Sequence, residues 1–190
     1  MLKPLLASVI LFLAIESYAD GWIPSDSARR VIAERAQEVL ALLAKKDVGK
    51  LASFVHPELG VSFSPYGFIS KASRKFKIEE LASLWKNKQK FFWGLYNGSG
   101  KPIRRTFPEY FKRFVCDRDY SCSLIAYNVV QRTDMFVNIF EVYPRSIVVD
   151  HLFLATPEFE EMDWRALRLV FTEFQGEWYL VHIVHDEWTI

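Results

Sequence analysis

Apolar residues recur at intervals of three and four after residue 24, and charged residues fill most of the positions between them. This spacing predicts a long amphipathic helix, which Ser25 or Asp26 can cap. Asp47 can cap a second, short helix that Pro57 ends. The apolar stripe of the first helix consists of Ile32, Ala36, Val39, Leu40 and Leu43.

Shorter segments of both kinds follow in the middle of the chain. Residues 60–64 and 91–96 predict strands, because β-branched and aromatic residues are concentrated there. A basic, irregular segment at residues 71–77 precedes helical spacing over residues 78–88. A capping box at residues 106–109, with a proline in the first turn, predicts a further helix that carries an aromatic stripe.

The pattern becomes strand-like after residue 123. Residues 124–130, 136–143 and 146–154 are rich in β-branched and aromatic side chains. Residues 165–174 and 177–188 predict a hairpin joined by a two-residue turn. Helices followed by antiparallel strands predict an α+β domain with the helices packed on one face of the sheet.

The amino-terminal pattern is typical of an export signal. Lys3 precedes an uncharged apolar run at residues 5–15, and a small-x-small sequence follows at residues 17–19. We therefore expect residues 1–19 to be a signal peptide cleaved near Ala19. The mature protein would be periplasmic or secreted, would keep no stable membrane anchor, and would form one domain over residues 20–190.

Composition narrows the function classes. The formal net charge is only +1, which argues against a nucleic-acid-binding protein, because such a protein needs a basic face to neutralise phosphates. Aromatic residues make up 16% of the chain. They favour either a heavily aromatic core or a pocket lined by rings.

Cysteine and histidine spacing gives no sign of a metal centre. Cys116 and Cys122 are the two cysteines of the chain, and in an oxidising compartment we expect them to form a disulfide. A bend between them is required, since on one helix they would not share a face. The histidine spacing matches no zinc motif, and His182 and His185 would point apart on a strand.

The order of these elements resembles the nuclear transport factor 2-like superfamily, the ketosteroid-isomerase-like cone. The resemblance implies a curved antiparallel sheet wrapped around amino-terminal helices. More narrowly, residues 56–66, 93–94, 110–115, 163–171 and 185–190 are similar to a group of exported bacterial domains to which no activity is assigned. The superfamily contains isomerases, dehydratases, cyclases and binding domains, so membership does not select a function.

Acid–base chemistry has three candidate residues: His185, Asp186 and Asp150. His185 and Asp186 are neighbours on a predicted strand and point to opposite faces, so they cannot form a mutual pair. Each needs a partner from another element, such as Asp150, His151 or His56. The structural alternative is that these polar residues end the last strand or pair across the sheet.

Two hypotheses follow. The first is a cofactor-free binding module for a small apolar or amphipathic ligand, with an outer sheet face open to a protein partner or to homodimerisation. The alternative is a small cofactor-free enzyme of isomerase, dehydratase or hydrolase type that uses His or Asp as general acid and base inside the cone. The candidate ligand-binding residues are Trp93, Phe111, Trp164, His185 and Trp188.

Overall fold

Helices precede a mostly antiparallel sheet in the computed structural model, which describes residues 22–71 and 73–189. The predicted signal peptide lies outside the described residues. The α-helices are α1 (Ser25–Ala44), α2 (Val48–Leu51), α3 (Ile78–Leu81), α4 (Phe107–Phe114) and α5 (Ile139–Val142). Short 3-10 turns are formed by Ala52–Phe54, Tyr120–Cys122 and Pro157–Phe159. The strands are β1 (Val61–Ser64), β2 (Arg74–Phe76), β3 (Phe91–Leu95), β4 (Pro102–Arg105), β5 (Leu124–Tyr127), β6 (Ile147–Phe153), β7 (Arg165–Phe174) and β8 (Glu177–Glu187).

Local signals for the main helices are confirmed, with one correction at a cap. The Thr106 hydroxyl accepts from the Glu109 amide, and the Glu109 carboxylate accepts from the Thr106 amide, which completes the capping box of α4. Asp47 caps α2 by accepting from the Lys50 amide. The start of α1 differs from the prediction, because Pro24 occupies the N-cap and supplies no side-chain cap.

The larger sheet has the strand order β2-β1-β8-β7-β6-β5, and β3 and β4 form a separate pair. The predicted hairpin is confirmed as β7 and β8, and the turn residues Gln175 and Gly176 both have positive φ, 54° and 85°. The sheet is not wholly antiparallel, because β1 lies parallel to β8 with Ser62 opposite His182. The α+β class is confirmed in this mixed form.

Two segments fold differently from the sequence expectation. The irregular basic segment contains β2, because Phe76 turns into the aromatic core while its neighbours stay exposed. The predicted strand at residues 136–143 contains α5 instead. Its Asn138 amide donates to the Ile69 carbonyl (3.0 Å) and accepts from the Ile69 amide (2.8 Å), so a side chain makes the contacts that a strand backbone would make. The predicted helix over residues 78–88 is regular only within α3.

Both faces of the larger sheet are buried. On the helical side, Leu167, Leu169 and Phe171 of β7 join an aromatic core in which Trp93 stacks on Tyr110 at 3.8 Å between ring centroids. The opposite face packs a smaller apolar cluster against residues 137–143. The sheet therefore separates two environments, and alternate residues of one strand enter different ones. No helix within the described ranges is both long and apolar enough to cross a bilayer.

Candidate functional site

A cleft of about 770 Å³ lies between α1 and the chain that follows α4. One wall is formed by small apolar side chains of α1, whose spacing places them on one helical face. Because alanine side chains are short, this face leaves space in front of the sheet. The α1 residues that line this wall include Ala33, Ala36, Leu40, Ala41 and Ala44.

The other wall of the cleft is mixed, because apolar residues such as Ile125 and Val149 lie there beside polar ones. Asp117, Tyr120 and His151 contribute to it, and Lys46 lies at its exposed rim. Asp117 follows the end of α4, whereas His151 comes from β6. An apolar wall facing a few polar groups is the usual composition of a small-molecule site.

Asp117 is backed by the buried imidazole of His185. The Asp117 Oδ2 lies 3.2 Å from His185 Nε2, and the Pro65 carbonyl oxygen lies 3.0 Å from His185 Nδ1. A carbonyl and an ionised carboxylate can only accept hydrogen bonds. Both ring nitrogens of His185 therefore face hydrogen-bond acceptors, and His185 forms an ion pair with Asp117 in its protonated form.

Two arginines extend this pair into a network of charges. Arg165 Nε lies 3.4 Å from Asp117 Oδ2 and 3.0 Å from Glu187 Oε2, so that one guanidinium bridges the two carboxylates. Arg113 forms an ion pair with the other Glu187 oxygen. Glu187 and His185 lie on the same face of β8, as strand alternation predicts. The two negative charges are balanced within the protein.

Asp117 remains ionised in this environment. Burial on its own would raise the pKa of Asp117, but the hydrogen bond and charge of His185, the Tyr120 hydroxyl at 2.9 Å and the charge of Arg165 outweigh it. The pKa of Asp117 therefore lies below its ordinary value. At the wall of the cleft, this residue is a hydrogen-bond acceptor and not a general acid.

The same residues also have a spacing that a metal ion could use. Ligand atoms of Asp117, His185 and Glu187 all lie within 4.8 Å of one another, the one such group among the described residues. However, Arg165 already occupies the space between the two carboxylates, and His185 Nε2 carries a proton. A divalent cation would have to displace both, so the charges present favour the ion-pair network.

His151 differs from His185 in its contacts. Its Nδ1 lies 3.1 Å from the Ser123 hydroxyl, and its Nε2 is buried without a hydrogen-bond partner among the described residues. Burial lowers the pKa of His151 to about 4, so the ring is neutral at physiological pH. It is the most deeply buried of the charged or imidazole side chains that line the cleft.

Two of the predicted acid–base residues lie on the other face of the sheet. Arg168 Nη1 lies 2.9 Å from Asp186 Oδ2, and Arg168 Nε lies 3.5 Å from Asp150 Oδ1, with all three side chains fully buried. Burial raises the pKa of Asp150 although Arg168 and the Gln131 amide oppose this effect. Neither Asp150 nor Asp186 lines the cleft. The structure thus separates them from His185 by the thickness of the sheet.

The candidate ligand-binding residues also lie outside the cleft. Trp93, Phe111 and Trp164 are fully buried in packed clusters, and Trp188 is partly buried beside Trp164. Trp93 satisfies its indole by donating to the Arg105 carbonyl at 2.9 Å. In the described residues these aromatic side chains fill space, and none of them lines the cleft.

The expected disulfide between Cys116 and Cys122 is not formed in the structure. Cys116 turns towards α1 and its thiol donates to the Leu43 carbonyl at 3.3 Å, whereas Cys122 is exposed in a 3-10 turn. Burial raises the pKa of Cys116 to about 11, so its thiol is protonated and weakly nucleophilic at neutral pH.

Sequence reasoning selected His185 but missed its partners. Asp117 lies between an aromatic helix and a polar turn, and no motif marks it as the residue that reaches His185. Arg165 and Glu187 could have been grouped with His185, because hairpin register places residues 165 and 187 opposite each other. The sequence predicts His151 only as a possible partner for His185 or Asp186, whereas in the structure its Nδ1 lies beside the Ser123 hydroxyl.

The site can bind a molecule that lays an apolar surface on α1 and directs a polar group towards Asp117 or His151. No protein-family model matches the chain, and no curated protein matches it in sequence. Chemistry for this site is therefore inferred from its own contacts.

Proposed function

We propose that this chain is an exported binding domain of the nuclear transport factor 2-like type, and that its cleft holds a small apolar or amphipathic molecule. The observation that carries the proposal is the cleft of about 770 Å³, with small apolar side chains on one wall and polar groups on the other. Ligand sites of about 300–1,000 Å³ with this composition bury most of a small molecule.

The Asp117 carboxylate is not available to a cationic ligand, and the other charged residues that line the cleft are Lys46, Arg118 and Asp119. Asp117 is already balanced by His185 and Arg165. Its ionisation therefore leaves no unpaired negative charge for a cationic ligand to neutralise. The apolar α1 wall then supplies most of the binding free energy, at about 25 cal/mol per Å² of apolar surface removed from water.

The acid–base alternative has weaker support from the same geometry. His185 is fully buried behind Asp117, and both of its ring nitrogens are occupied by protein acceptors. Asp150 and Asp186 are held by Arg168 on the other face of the sheet. A general acid or base must reach the reacting proton directly or through one water, and none of these three residues offers a free atom to the cleft.

The proposal has a second version, in which the domain binds a protein partner or a second copy of itself. Residues 137–143 pack on the sheet face opposite to the main core, so a partner on that side would contact this added layer. Export is also part of the proposal, and its support is the signal-peptide pattern of residues 1–19.

The test fills the cleft and measures binding of a neutral apolar probe. N-phenyl-1-naphthylamine fluorescence is titrated with the exported chain, with Ala44→Trp and with Val31→Trp. Both residues are exposed on α1, but only Ala44 lines the cleft. We expect Ala44→Trp to weaken binding at least tenfold and Val31→Trp to leave it unchanged. Equal affinity in all three proteins would refute the cleft as the binding site.

A further inference from the structure

The hydrogen-bonding state of His151 follows from its neighbours. The Ser123 hydroxyl lies 2.7 Å from the Tyr120 carbonyl oxygen, which can only accept, so the single hydroxyl hydrogen is directed there. The Ser123 oxygen can then only accept from His151, at 3.1 Å from Nδ1. Nδ1 of His151 therefore carries the proton, and Nε2 presents a lone pair.

That lone pair has no donor within the described protein. Nε2 of His151 has less than 1 Å² of exposed surface and no hydrogen-bond partner among the described residues. Buried polar atoms are nearly always paired, and an unpaired one lowers the stability of the fold. The ring is also neutral at physiological pH, since burial lowers its pKa to about 4. The unpaired acceptor thus belongs to a residue that lines the cleft, and Nε2 itself is covered by neighbouring protein atoms that a ligand must displace to reach it.

We propose that His151 Nε2 accepts a hydrogen bond from the cleft's ligand, and that the ligand is a small apolar molecule with a neutral hydroxyl or N–H group, such as an alcohol, a phenol or an arylamine. This inference rests on the proposed function and specifies its ligand class. An anionic ligand that only accepts hydrogen bonds would place a lone pair against that of Nε2. A cationic ligand would find Asp117 already balanced by His185 and Arg165.

The test compares two probes that differ in one hydrogen-bond donor. Binding of 2-naphthol and of 2-methoxynaphthalene to the exported chain is measured by isothermal titration calorimetry. One neutral hydrogen bond predicts about tenfold tighter binding of 2-naphthol. In His151→Leu we expect the preference to disappear, so that 2-naphthol and 2-methoxynaphthalene bind with equal affinity. In His151→Gln the amide oxygen restores part of the preference.

Ala44→Trp separates the two levels of the proposal. If Ala44→Trp weakens binding of both probes but the unmodified protein binds them equally, the cleft binds ligands and the role of His151 is wrong. If neither probe binds, or if Ala44→Trp weakens binding of neither probe, both the proposed function and the role of His151 are wrong. Should His151→Leu not fold, ¹⁵N spectra of the unmodified protein decide. The ¹⁵N chemical shift of Nε2 must be that of an unprotonated imidazole nitrogen. It must change when 2-naphthol is added and stay the same when 2-methoxynaphthalene is added.

Discussion

At the scale of single residues, the buried histidines differ because their ring nitrogens face different partners. His185 lies between two acceptors, the Pro65 carbonyl and the Asp117 carboxylate. His182 contacts hydroxyl groups, with Nε2 at 2.8 Å from Ser64 Oγ and Nδ1 at 3.2 Å from Tyr143. Hydroxyls can donate or accept, so they satisfy a neutral ring. Burial lowers the pKa of His182 to about 3, and the positive charge of Lys75 adds to this effect.

Neutral buried histidines predict acid lability. In the unfolded chain His151 and His182 bind protons below pH 6.5, whereas in the folded protein their pKa values are about 4 and 3. Folding stability is therefore highest above pH 6.5 and falls as the pH is lowered from 6.5 towards 4. Each histidine contributes about 1.4 kcal/mol per pH unit to this decline. Urea unfolding of His182→Gln between pH 7 and pH 4.5 should show a shallower decline of the free energy of unfolding.

Lys88→Gln is the control for this experiment, because Lys88 is exposed and lies outside the helices and strands, between α3 and β3. Its unfolding free energy should follow that of the unmodified protein at every pH. An unchanged pH slope in His182→Gln would contradict the neutral state assigned to His182.

The candidate site could be predicted from the sequence only in part. Strand alternation was enough to place His185 and Asp186 on opposite faces of the sheet, since the period of a strand is two. It could not identify Asp117, because the contact joins residues 117 and 185, and only the packing of the end of α4 against β8 brings them together. The unpaired Nε2 of His151 could not be predicted from the sequence either. Which ring nitrogen of His151 is unprotonated depends on the direction of the Ser123 hydroxyl hydrogen.

At the scale of secondary-structure elements, strong local signals gave correct elements. α1, α4 and the β7–β8 hairpin carry amphipathic spacing, a capping box or a two-residue turn, and each was predicted. Residues 136–143 misled the prediction because their aromatic and β-branched content favours a strand, whereas Asn138 docks on Ile69 by its side chain. The parallel β1–β8 contact is long-range and leaves no local pattern.

The two helix starts predict losses of stability of different size when a hydroxyl is removed. The Thr106 hydroxyl accepts from the Glu109 amide at the start of α4, so Thr106→Ala should lower the free energy of unfolding by about 1 kcal/mol. Ser25 is the first residue of α1 and does not occupy its N-cap. Ser25→Ala should therefore change the free energy of unfolding by less than about 0.5 kcal/mol. Urea denaturation at pH 7 measures both, and equal losses would show that the cap assignments are wrong.

At the scale of the whole molecule, buried charges connect the sheet to the layer that covers its outer face. Arg168 of β7 donates to the Arg132 carbonyl, and Asp150 of β6 accepts from the Gln131 amide at 2.7 Å. A Cβ added to Gly67 would come within 2.8 Å of Asp186 Oδ2, so this loop can approach the carboxylate closely only with glycine there. The contacts attach two loops to the sheet through one charged cluster.

Removing the central cation of this cluster should therefore loosen the outer layer as well as lower stability. Arg168→Met leaves Asp150 and Asp186 buried without a counter-charge, which typically costs about 3–5 kcal/mol. Combining it with Asp150→Asn and Asp186→Asn removes the charges but keeps the acceptors for the Gln131 and Glu187 amides.

The combined variant should recover much of the lost free energy of unfolding in urea titrations. Hydrogen exchange of the Gln131 amide should accelerate in Arg168→Met and slow again in the combined variant. Arg145→Met, at an exposed arginine in the turn between α5 and β6, should change neither quantity. If Arg168→Met behaves like Arg145→Met, the layer is held by its apolar contacts with Val148, Val170 and Val184, and the charged cluster contributes little to holding it.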